Sequence, residues 1–326
     1  MNIVLVIRSV IPVVTYGGTE RVIWYLGKEL VRKGHCVTFL ADKGSACDFA
    51  KIIHIDPKRS LTEQIPEEAD IVHFNNEVPK GGGKSKPYIV TYHGNFIQGE
   101  IDKNAVFVSS NHAARYGSNS YVYNGLDWDD YGSVDCEKIR QGYHFLGKAA
   151  WSVKNVKGAI RVVKGLHGEH IHILGGYRFN LKMGFRFTLT PKARFHGMVG
   201  GKEKLDYLKG SKGLVFPVKW DEPFGLAITE SLYCGSPVFG TPYGSLPELV
   251  IPEVGFLTNK CSEMIEHLRH AYHYDARICH QYASDLFNSR VMAETYLQKY
   301  EQVANGSPLN DTAPRALKPD CKLPWY

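Results

Sequence analysis

Two glutamates, Glu222 and Glu230, flank a Pro-Phe-Gly turn in the second half of this 326-residue chain. The apolar run 213–218 before them predicts a short buried strand, and residues 226–234 after the turn are typical of a helix. A loop that leads from a strand into a helix exposes the first backbone N–H groups of that helix, which favours binding of an anion. The expected donors to a diphosphate are the amides of Phe224, Gly225 and Leu226.

The two glutamates differ in position but suit one ligand. Glu222 lies in the loop, and Glu230 lies about two turns into the helix on a similar face. A carboxylate there can accept hydrogen bonds from two vicinal hydroxyls, such as those of a ribose. For an isolated pair, two solvated glutamates would be the simpler interpretation. The continuation 235–248, a second strand followed by a glycine loop and another helix, favours a ligand site instead.

Taken together, residues 213–250 closely resemble the donor-nucleotide segment of retaining glycosyltransferases of family 4, which have the GT-B fold. The spacing of Glu, seven residues and Glu, with an internal Phe-Gly, is a specific signal. The resemblance implies an α/β protein of two Rossmann-like, doubly wound domains that face each other across a cleft. It also implies that Glu222 holds the transferred sugar and that Glu230 anchors the ribose.

His93 directly follows the apolar run 88–92, at the carboxyl end of a predicted strand. Open α/β sheets bind ligands at this end. A lone histidine is more often structural, but family 4 enzymes place a histidine loop here, against the donor sugar. The resemblance therefore implies that His93 binds a hydroxyl of the transferred sugar.

Glycine loops at two further places extend the resemblance. Gly17 and Gly18 open the helix of a βαβ unit over residues 2–41. A glycine pair alone is a weak phosphate-loop signal and fits a close-packed turn equally well. In the family, this loop approaches the donor and the acceptor, and the loop at Gly197 and Met198 contacts the nucleotide base through its backbone.

Two cations of the family's donor site have counterparts in this chain. The family has an arginine after a strand and glycine, and a lysine a few residues on, both directed at the donor diphosphate. This chain has Lys148 at the arginine position and Lys154 near the lysine position, with Lys157 as a competing candidate. Lysine lacks the bidentate fork of arginine, so we expect phosphate binding to be weaker or differently shaped.

Composition narrows the class of protein. A hydrophobic content of 44% with 22% charged residues predicts a soluble protein of two domains. A net charge of +6 favours anionic partners such as nucleotides, phosphoglycans or an acidic membrane surface. The seven cysteines include no Cys-x-x-Cys pair, so neither a disulfide framework nor a zinc site is indicated. We expect a cytoplasmic protein, with any membrane association peripheral, at the inner face.

The alternation of strands and helices predicts the domain boundaries. Residues 1–135 are expected to form the first, acceptor-side domain, completed by a C-terminal helix at about 290–306. Residues 142–288 form the second, donor-side domain, after an interdomain connection. Residues 307–326 have no periodicity and predict an irregular tail.

Two segments resemble sites that we do not expect. Residues 178–194 combine basic and aromatic side chains, as a nucleic-acid surface does. Their apolar alternation predicts half-buried strands instead, so no nucleic-acid partner is expected. Asp127 and Asp129 superficially resemble a metal-binding Asp-x-Asp. A polar turn is the preferred interpretation, because glycosyltransferases of this fold generally work without a bound metal.

These observations predict an enzyme, a hexosyltransferase. It would move a sugar from a nucleoside diphosphate sugar, UDP first and GDP second, to a hydroxyl of a saccharide or lipid-linked acceptor. Retention of configuration and a place in surface polysaccharide or glycoconjugate biosynthesis follow from the resemblance alone. No tightly bound cofactor is expected. The alternatives are a sugar-nucleotide epimerase or phosphorylase of the same fold, and a non-catalytic nucleotide-sugar- or polyanion-binding protein.

Overall fold

The computed structural model describes residues 1–13, 17–83, 85–95, 100–181, 185–319 and 321–326. They divide into two compact units. The first contains residues 1–13, 17–128 and 287–319, and the second contains residues 129–286 and 321–326. The interdomain connection expected before residue 142 therefore groups with the second unit.

The strands and helices alternate along most of the chain. The strands are β1 (Asn2–Ile7), β2 (Cys36–Ala41), β3 (Lys51–His54), β4 (Ile71–Asn75), β5 (Tyr88–Tyr92), β6 (Ala105–Phe107), β7 (Tyr143–Leu146), β8 (Ile171–Leu174), β9 (Phe179–Asn180), β10 (Arg186–Phe187), β11 (Ala193–Phe195), β12 (Leu214–Phe216), β13 (Val238–Gly240) and β14 (Gly255–Leu257). The α-helices are α1 (Gly18–Arg32), α2 (Ser110–Arg115), α3 (Val156–Lys164), α4 (Gly201–Lys209), α5 (Leu226–Tyr233), α6 (Leu246–Leu249), α7 (Cys261–Arg269), α8 (Ala276–Leu286) and α9 (Ser289–Ala304). Short 3-10 turns occur at Thr62–Gln64, Trp128–Tyr131, Ser152–Lys154 and Ala271–His273.

Each unit contains a parallel sheet with the same strand order. Among the described residues, the first sheet is ordered β3-β2-β1-β4-β5-β6 and the second β11-β8-β7-β12-β13-β14. The chain winds outward in one direction from β1 or β7 and in the other from β4 or β12, which is the doubly wound arrangement. The expected fold class, two Rossmann-like α/β domains, is confirmed. Ligands of such sheets bind where the strand order reverses, beside the carboxyl ends of the central strands.

Helix α1 shows how the sequence pattern becomes packing. Its apolar side chains recur at helical spacing and are buried against the sheet. Gly27 allows α1 to pack closely against β2, because a Cβ at this position would lie 2.3 Å from Cζ of Phe39. The helix ends at Arg32, and Gly34 follows with a left-handed φ of 85°.

Residues 178–194 depart in part from the expected pattern. Strands β9 and β10 form a separate antiparallel pair, and their apolar side chains are exposed. The strands alternate between covered and exposed side chains, as half-buried strands do, but the polar side of this hairpin lies against the unit: Arg186 is buried, and it donates to the carbonyls of Ala149 and Tyr177. Among the described residues, no helix is long and apolar enough to span a bilayer.

Buried histidines connect elements in both units. In the first, His73 bonds through Nδ1 to the Tyr300 hydroxyl and through Nε2 to Thr91 Oγ1, each at 2.8 Å, which joins α9 to β4 and β5. In the second, His144 bonds to Ser211 Oγ at 2.7 Å and Ser231 Oγ at 2.8 Å. Burial lowers the pKa of both histidines to about 3.

These two histidines make folding sensitive to acid. The pKa of each falls from 6.5 to about 3 on folding, so below pH 6.5 the unfolded chain binds more protons than the folded protein. The free energy of unfolding should therefore fall as the pH decreases from about 6.5 towards 3, by about 1.4 kcal/mol per pH unit for each histidine. Urea unfolding at pH 7, 6 and 5 measures how the free energy of unfolding changes with pH. His73→Gln should reduce this pH dependence by about 1.4 kcal/mol per pH unit, the contribution of one histidine.

Tyr300→Phe is the matched control. It removes a hydrogen-bond partner of His73 but keeps the imidazole, so it should lower the free energy of unfolding by about 1 kcal/mol while retaining the pH slope. An unchanged slope in His73→Gln would contradict the assignment.

Candidate functional site

Glu222 lies in the loop between β12 and α5 and forms a buried ion pair. Its Oε2 accepts from Lys154 Nζ at 2.6 Å and from Trp220 Nε1 at 2.8 Å. Glu222 is 5% exposed and Lys154 9%. The ammonium also lies 4.9 Å from the centroid of the Trp220 ring. The structure thus places together the side chains that were expected to contact the sugar and the diphosphate.

The glycine loop after β13 supports the Glu222 loop. The Ser245 amide donates to the Glu222 carbonyl at 2.9 Å, and Ser245 Oγ donates to the Phe224 carbonyl at 2.7 Å. Gly244 has a left-handed φ of 61°, and a Cβ there would lie 2.2 Å from the Glu222 nitrogen. Only glycine fits this approach, so the two stretches that the sequence singled out form one structure.

Helix α5 begins directly behind this loop. Gly225 is its N-cap, with a left-handed φ of 86°, and Leu226 is its first residue. Within the described chain, the amides of Gly225 and Leu226 have no protein acceptor. The first N–H groups of a helix carry a partial positive charge. This end of α5 can therefore bind an anion, as expected, while the Phe224 side chain is buried beneath it.

Glu230 is held in a second buried cluster. It lies within α5, and its Oε1 accepts from Lys204 Nζ of α4 and from the Tyr131 hydroxyl. Glu230 and Lys204 are both almost completely buried. The pair ties α4 to α5, so Glu230 has a structural role in addition to the ribose contact that remains a prediction.

The other predicted cation, Lys148, has a different environment. It is half-buried in the loop after β7, and its Nζ lies 5.5 Å from the centroid of the Trp151 ring. Among the described residues, no carboxylate forms an ion pair with it. Lys148 is therefore available to an external anion, whereas Lys154 already has a carboxylate partner. Lys157, the competing candidate, is exposed in the first turn of α3.

The predicted base-contacting loop is fixed by glycine pairing. Gly197 exchanges backbone hydrogen bonds with Gly176, each at 3.1 Å, and its carbonyl also accepts from the Gly175 amide. Its φ is 70°, in the left-handed region. The neighbouring Met198 is exposed. Its contact with a base stays a prediction.

In the first unit, His93 has a defined orientation. It follows β5, and its Nε2 lies 2.8 Å from Asn75 Oδ1. Asn75 Nδ2 donates to the Val6 carbonyl at 3.0 Å, which turns the amide oxygen towards the imidazole. His93 must then carry its proton on Nε2, and Nδ1 is left as an acceptor. Burial lowers the pKa of His93 to about 4, so the ring is neutral at pH 7 and can accept from a hydroxyl.

The glycine pair at the start of α1 has a packing explanation. A Cβ at Gly17 would lie 2.8 Å from the Val13 side chain and 2.9 Å from the Glu20 carboxylate. Gly18 is the first residue of the helix. Close packing against Val13 thus favours a glycine at 17, and the approach of this loop to a donor stays a prediction.

Two further polar positions, Asp127 and Ser109, have ordinary structural roles. Asp127 Oδ2 forms ion pairs with Lys28 Nζ at 2.7 Å and Arg32 Nη1 at 3.1 Å, as a polar turn would. The Ser109 hydroxyl accepts from the His112 amide and caps α2. Across the described ranges, no group of three His, Cys, Asp or Glu side chains has the geometry of a metal site.

Sequence reasoning missed the partners of the predicted residues. Trp220 and Asn75 each lie close in sequence to a β-strand's carboxyl end, a position that signals ligand chemistry in this fold. Lys204 and Tyr131 carried no such signal. They meet Glu230 from 26 and 99 residues away in sequence, respectively.

Comparison with known proteins finds a family match in the second unit. Residues 144–277 match the family model "Glycosyl transferases group 1". This part of the chain is therefore similar to the glycosyl transferases group 1 domain. The matched residues include Lys148, Lys154, Glu222 and Glu230, so the glutamates and lysines of the candidate site lie within the matched region. The match and the fold together support a transferase, as the sequence predicts.

The whole chain is similar in fold to solved glycosyltransferases. AviGT4, involved in avilamycin A biosynthesis, superimposes with a TM-score of 0.75 at 18% identity, over 94% of this chain and 98% of AviGT4. HepE of Anabaena, solved with UDP and glucose, superimposes with a TM-score of 0.67 at 15% identity, over 93% of this chain and all of HepE. At such identities the likeness shows the fold, and the GT-B prediction is confirmed.

A curated relative matches over a shorter stretch. It is an uncharacterized 41.2 kDa protein in the cps region of Klebsiella pneumoniae, 31% identical over 114 residues. The match covers 33% of this chain and 32% of the relative, so about a third of the relative's length is spanned.

We predict that Lys154→Met strongly destabilises the protein. The substitution leaves the Glu222 carboxylate buried without its cation, which typically costs about 3–5 kcal/mol. Denaturant unfolding at pH 7 measures the loss. The double variant Lys154→Met/Glu222→Leu should recover most of it, because no unpaired charge then remains.

Lys148→Met is the matched control for this ion pair, since Lys148 has no carboxylate partner. We expect a change in the free energy of unfolding within about 0.5 kcal/mol. Equal destabilisation by the two single substitutions would contradict a special role for the buried pair.

A second prediction concerns the proton on His93. Asn75→Asp places a carboxylate beside Nε2, which favours the charged imidazole and should raise the pKa of His93 well above 4. NMR titration of the His93 Hε1 resonance measures this pKa. The His144 resonance, from the other unit, should keep its low pKa, and an unmoved His93 pKa would show that Asn75 does not contact the ring.

Proposed function

We propose that this protein is a retaining glycosyltransferase of family 4. It moves a hexose from a nucleoside diphosphate sugar to a hydroxyl of a saccharide or lipid-linked acceptor. The observation that carries the proposal is the arrangement at the N-terminus of α5. There the buried Glu222 carboxylate, paired with Lys154, adjoins the amides of Gly225 and Leu226, which have no protein acceptor in the described chain.

The chemistry follows from the charge that develops. When the bond between the sugar and the phosphate breaks, the nucleoside diphosphate leaves with added negative charge. Lys148, Lys154 and the α5 amides offset that charge electrostatically. The acceptor oxygen forms the new bond to the sugar carbon, and its proton passes to the leaving phosphate oxygen. Both steps are then complete without a tightly bound cofactor.

The remaining side chains bind the donor's other parts. Glu222 holds the hydroxyls of the transferred sugar, and His93 accepts from one of them through Nδ1. Glu230 anchors the ribose, and the backbone at Gly197 and Met198 contacts the base. The loop at Gly17 and Gly18 approaches the donor. Because Glu222 Oε2 is already occupied by Lys154 and Trp220, the sugar hydroxyls bind chiefly at Oε1.

The donor and the biological setting rest on the comparisons. We propose UDP-hexose as the donor, because HepE has been solved with UDP and glucose, and a GDP-sugar as the second choice. The relative from a cps region supports a role in surface polysaccharide or glycoconjugate biosynthesis. We place the reaction in the cytoplasm, with peripheral association at the inner membrane face.

Donor binding is tested by thermal shift with UDP-, GDP- and ADP-sugars. A ligand at 100 times its Kd should stabilise the protein by about 2.7 kcal/mol through mass action. UDP-sugars are expected to give the largest rise in Tm. No shift with any nucleotide sugar would remove the proposal.

Turnover separates the enzyme from its alternatives. Release of nucleoside diphosphate that depends on an added saccharide or lipid-linked acceptor supports the transferase. Conversion of the donor without an acceptor would instead show an epimerase. A thermal shift without any turnover across an acceptor panel would show a nucleotide-sugar-binding protein.

Lys148→Met tests the electrostatic part of the mechanism. Loss of one preorganised cation or N–H group at a developing anion typically lowers kcat about 100- to 1000-fold. We expect such a loss with unchanged folding. Lys164→Met, at the far end of α3, should retain normal kcat. If Lys157→Met loses activity and Lys148→Met does not, the diphosphate cation is Lys157.

A further inference from the structure

The hairpin of β9 and β10 presents an apolar face to solvent. Arg186 pairs with Asn180, and Phe187 pairs with Phe179. The large side chains at alternate positions are strongly exposed: Tyr177 66%, Phe179 53%, Leu181 66%, Phe185 70%, Phe187 57% and Leu189 81%. Residues 182–184 lie outside the described chain. A contiguous patch of several large, exposed apolar side chains marks an interaction surface.

The hairpin is fixed in this orientation by its polar side. Arg178 donates to the carbonyls of Thr188, Thr190 and Ala193, and its guanidinium lies 5.8 Å from the centroid of the Phe195 ring. The Arg186 guanidinium lies 5.4 Å from the centroid of the same Phe195 ring. Because the two arginines anchor the hairpin, the apolar face stays directed outwards.

Positive charge surrounds this surface. The sequence of this segment, residues 177–195, contains no Asp or Glu, and its basic residues include Lys192 and Arg194. A cavity of about 300 Å³ adjoins the hairpin, lined by Asn180 and Phe185 together with Lys157, Lys219 and Lys322. Within the described chain, these three lysines form no ion pair with a carboxylate. A cationic cavity beside an exposed apolar face matches the chemistry of an anionic lipid: an acyl region next to a headgroup phosphate.

We propose that the β9–β10 hairpin docks this protein on an anionic lipid bilayer. The apolar side chains enter the interface between headgroups and acyl chains, and the three lysines bind headgroup phosphates. A second copy of the chain is a poorer occupant, because a two-fold contact would bring two sets of these lysines together. An acidic protein partner is the remaining alternative. The proposal is independent of sugar transfer, since membrane binding is measured without a donor or an acceptor.

The test is co-sedimentation of the full chain with vesicles. Vesicles of phosphatidylcholine with 30 mole per cent phosphatidylglycerol should bind the protein, and pure phosphatidylcholine vesicles should bind it at least about tenfold more weakly. The variant Phe185→Ser/Leu189→Ser should lower the partition coefficient for the anionic vesicles at least about tenfold, since two large apolar groups no longer enter the interface.

A matched control keeps the experiment specific. Ile139 and Tyr272 are as exposed as the hairpin residues, at 85% and 74%, but belong to other segments. The variant Ile139→Ser/Tyr272→Ser should bind vesicles normally. Circular dichroism and Tm should be unchanged in both double variants, because the substituted side chains are exposed.

The contribution of the cavity lysines to vesicle binding is tested by removing their positive charge. Lys219→Gln/Lys322→Gln should weaken binding to the anionic vesicles and reduce its dependence on salt. Absence of wild-type binding to anionic vesicles, or equal binding by Phe185→Ser/Leu189→Ser, would overturn the proposal. A concentration-dependent dimer that this variant abolishes, with no vesicle binding, would show that a second copy covers the hairpin instead.

Discussion

The buried ion pair between Lys154 and Glu222 is the interaction on which the candidate site depends. It joins two loops that follow different strands of the same sheet, β7 and β12. Each charge is removed from water, so each is stable there only while its partner is present. Trp220 adds an N–H to the same carboxylate oxygen and an aromatic face to the ammonium. The loop that leads into α5 is thereby held in one position before any ligand arrives.

Preorganisation of this kind suits a reaction whose difficulty is electrostatic. Groups that are already oriented towards a developing charge stabilise it without reorganising when it forms. Preorganisation is also seen in the first unit, where the Val6 carbonyl orients the Asn75 amide and the Asn75 amide orients the His93 ring. Lys148 and Lys154 differ in their partners, because Lys148 has no carboxylate partner among the described residues and Lys154 is paired with Glu222. Lys154 holds the Glu222 loop in position, and Lys148 is more available to bind a ligand.

The β9–β10 hairpin obeys a different constraint from the rest of the chain. In both parallel sheets, most apolar side chains are buried, and the strands are recognisable from apolar runs. In the hairpin, Arg178 and Arg186 donate hydrogen bonds to backbone carbonyls at its base. The polar side therefore packs against the unit, and the apolar side chains are exposed to solvent. An exposed apolar surface of this kind marks an interaction site, and the proposed docking on a lipid bilayer would cover it.

The sequence by itself determined the strands, the helices and the doubly wound class, because hydrophobic periodicity and glycine stops are local properties. It also indicated the site, since Glu222 and Glu230 flank a turn whose resemblance is specific. Only the tertiary structure decided which groups pair with them: Lys154 is 68 residues from Glu222 in sequence, and Tyr131 is 99 from Glu230. The hairpin's orientation was likewise beyond the sequence, because alternation separates two faces of a strand pair without stating which one the core receives.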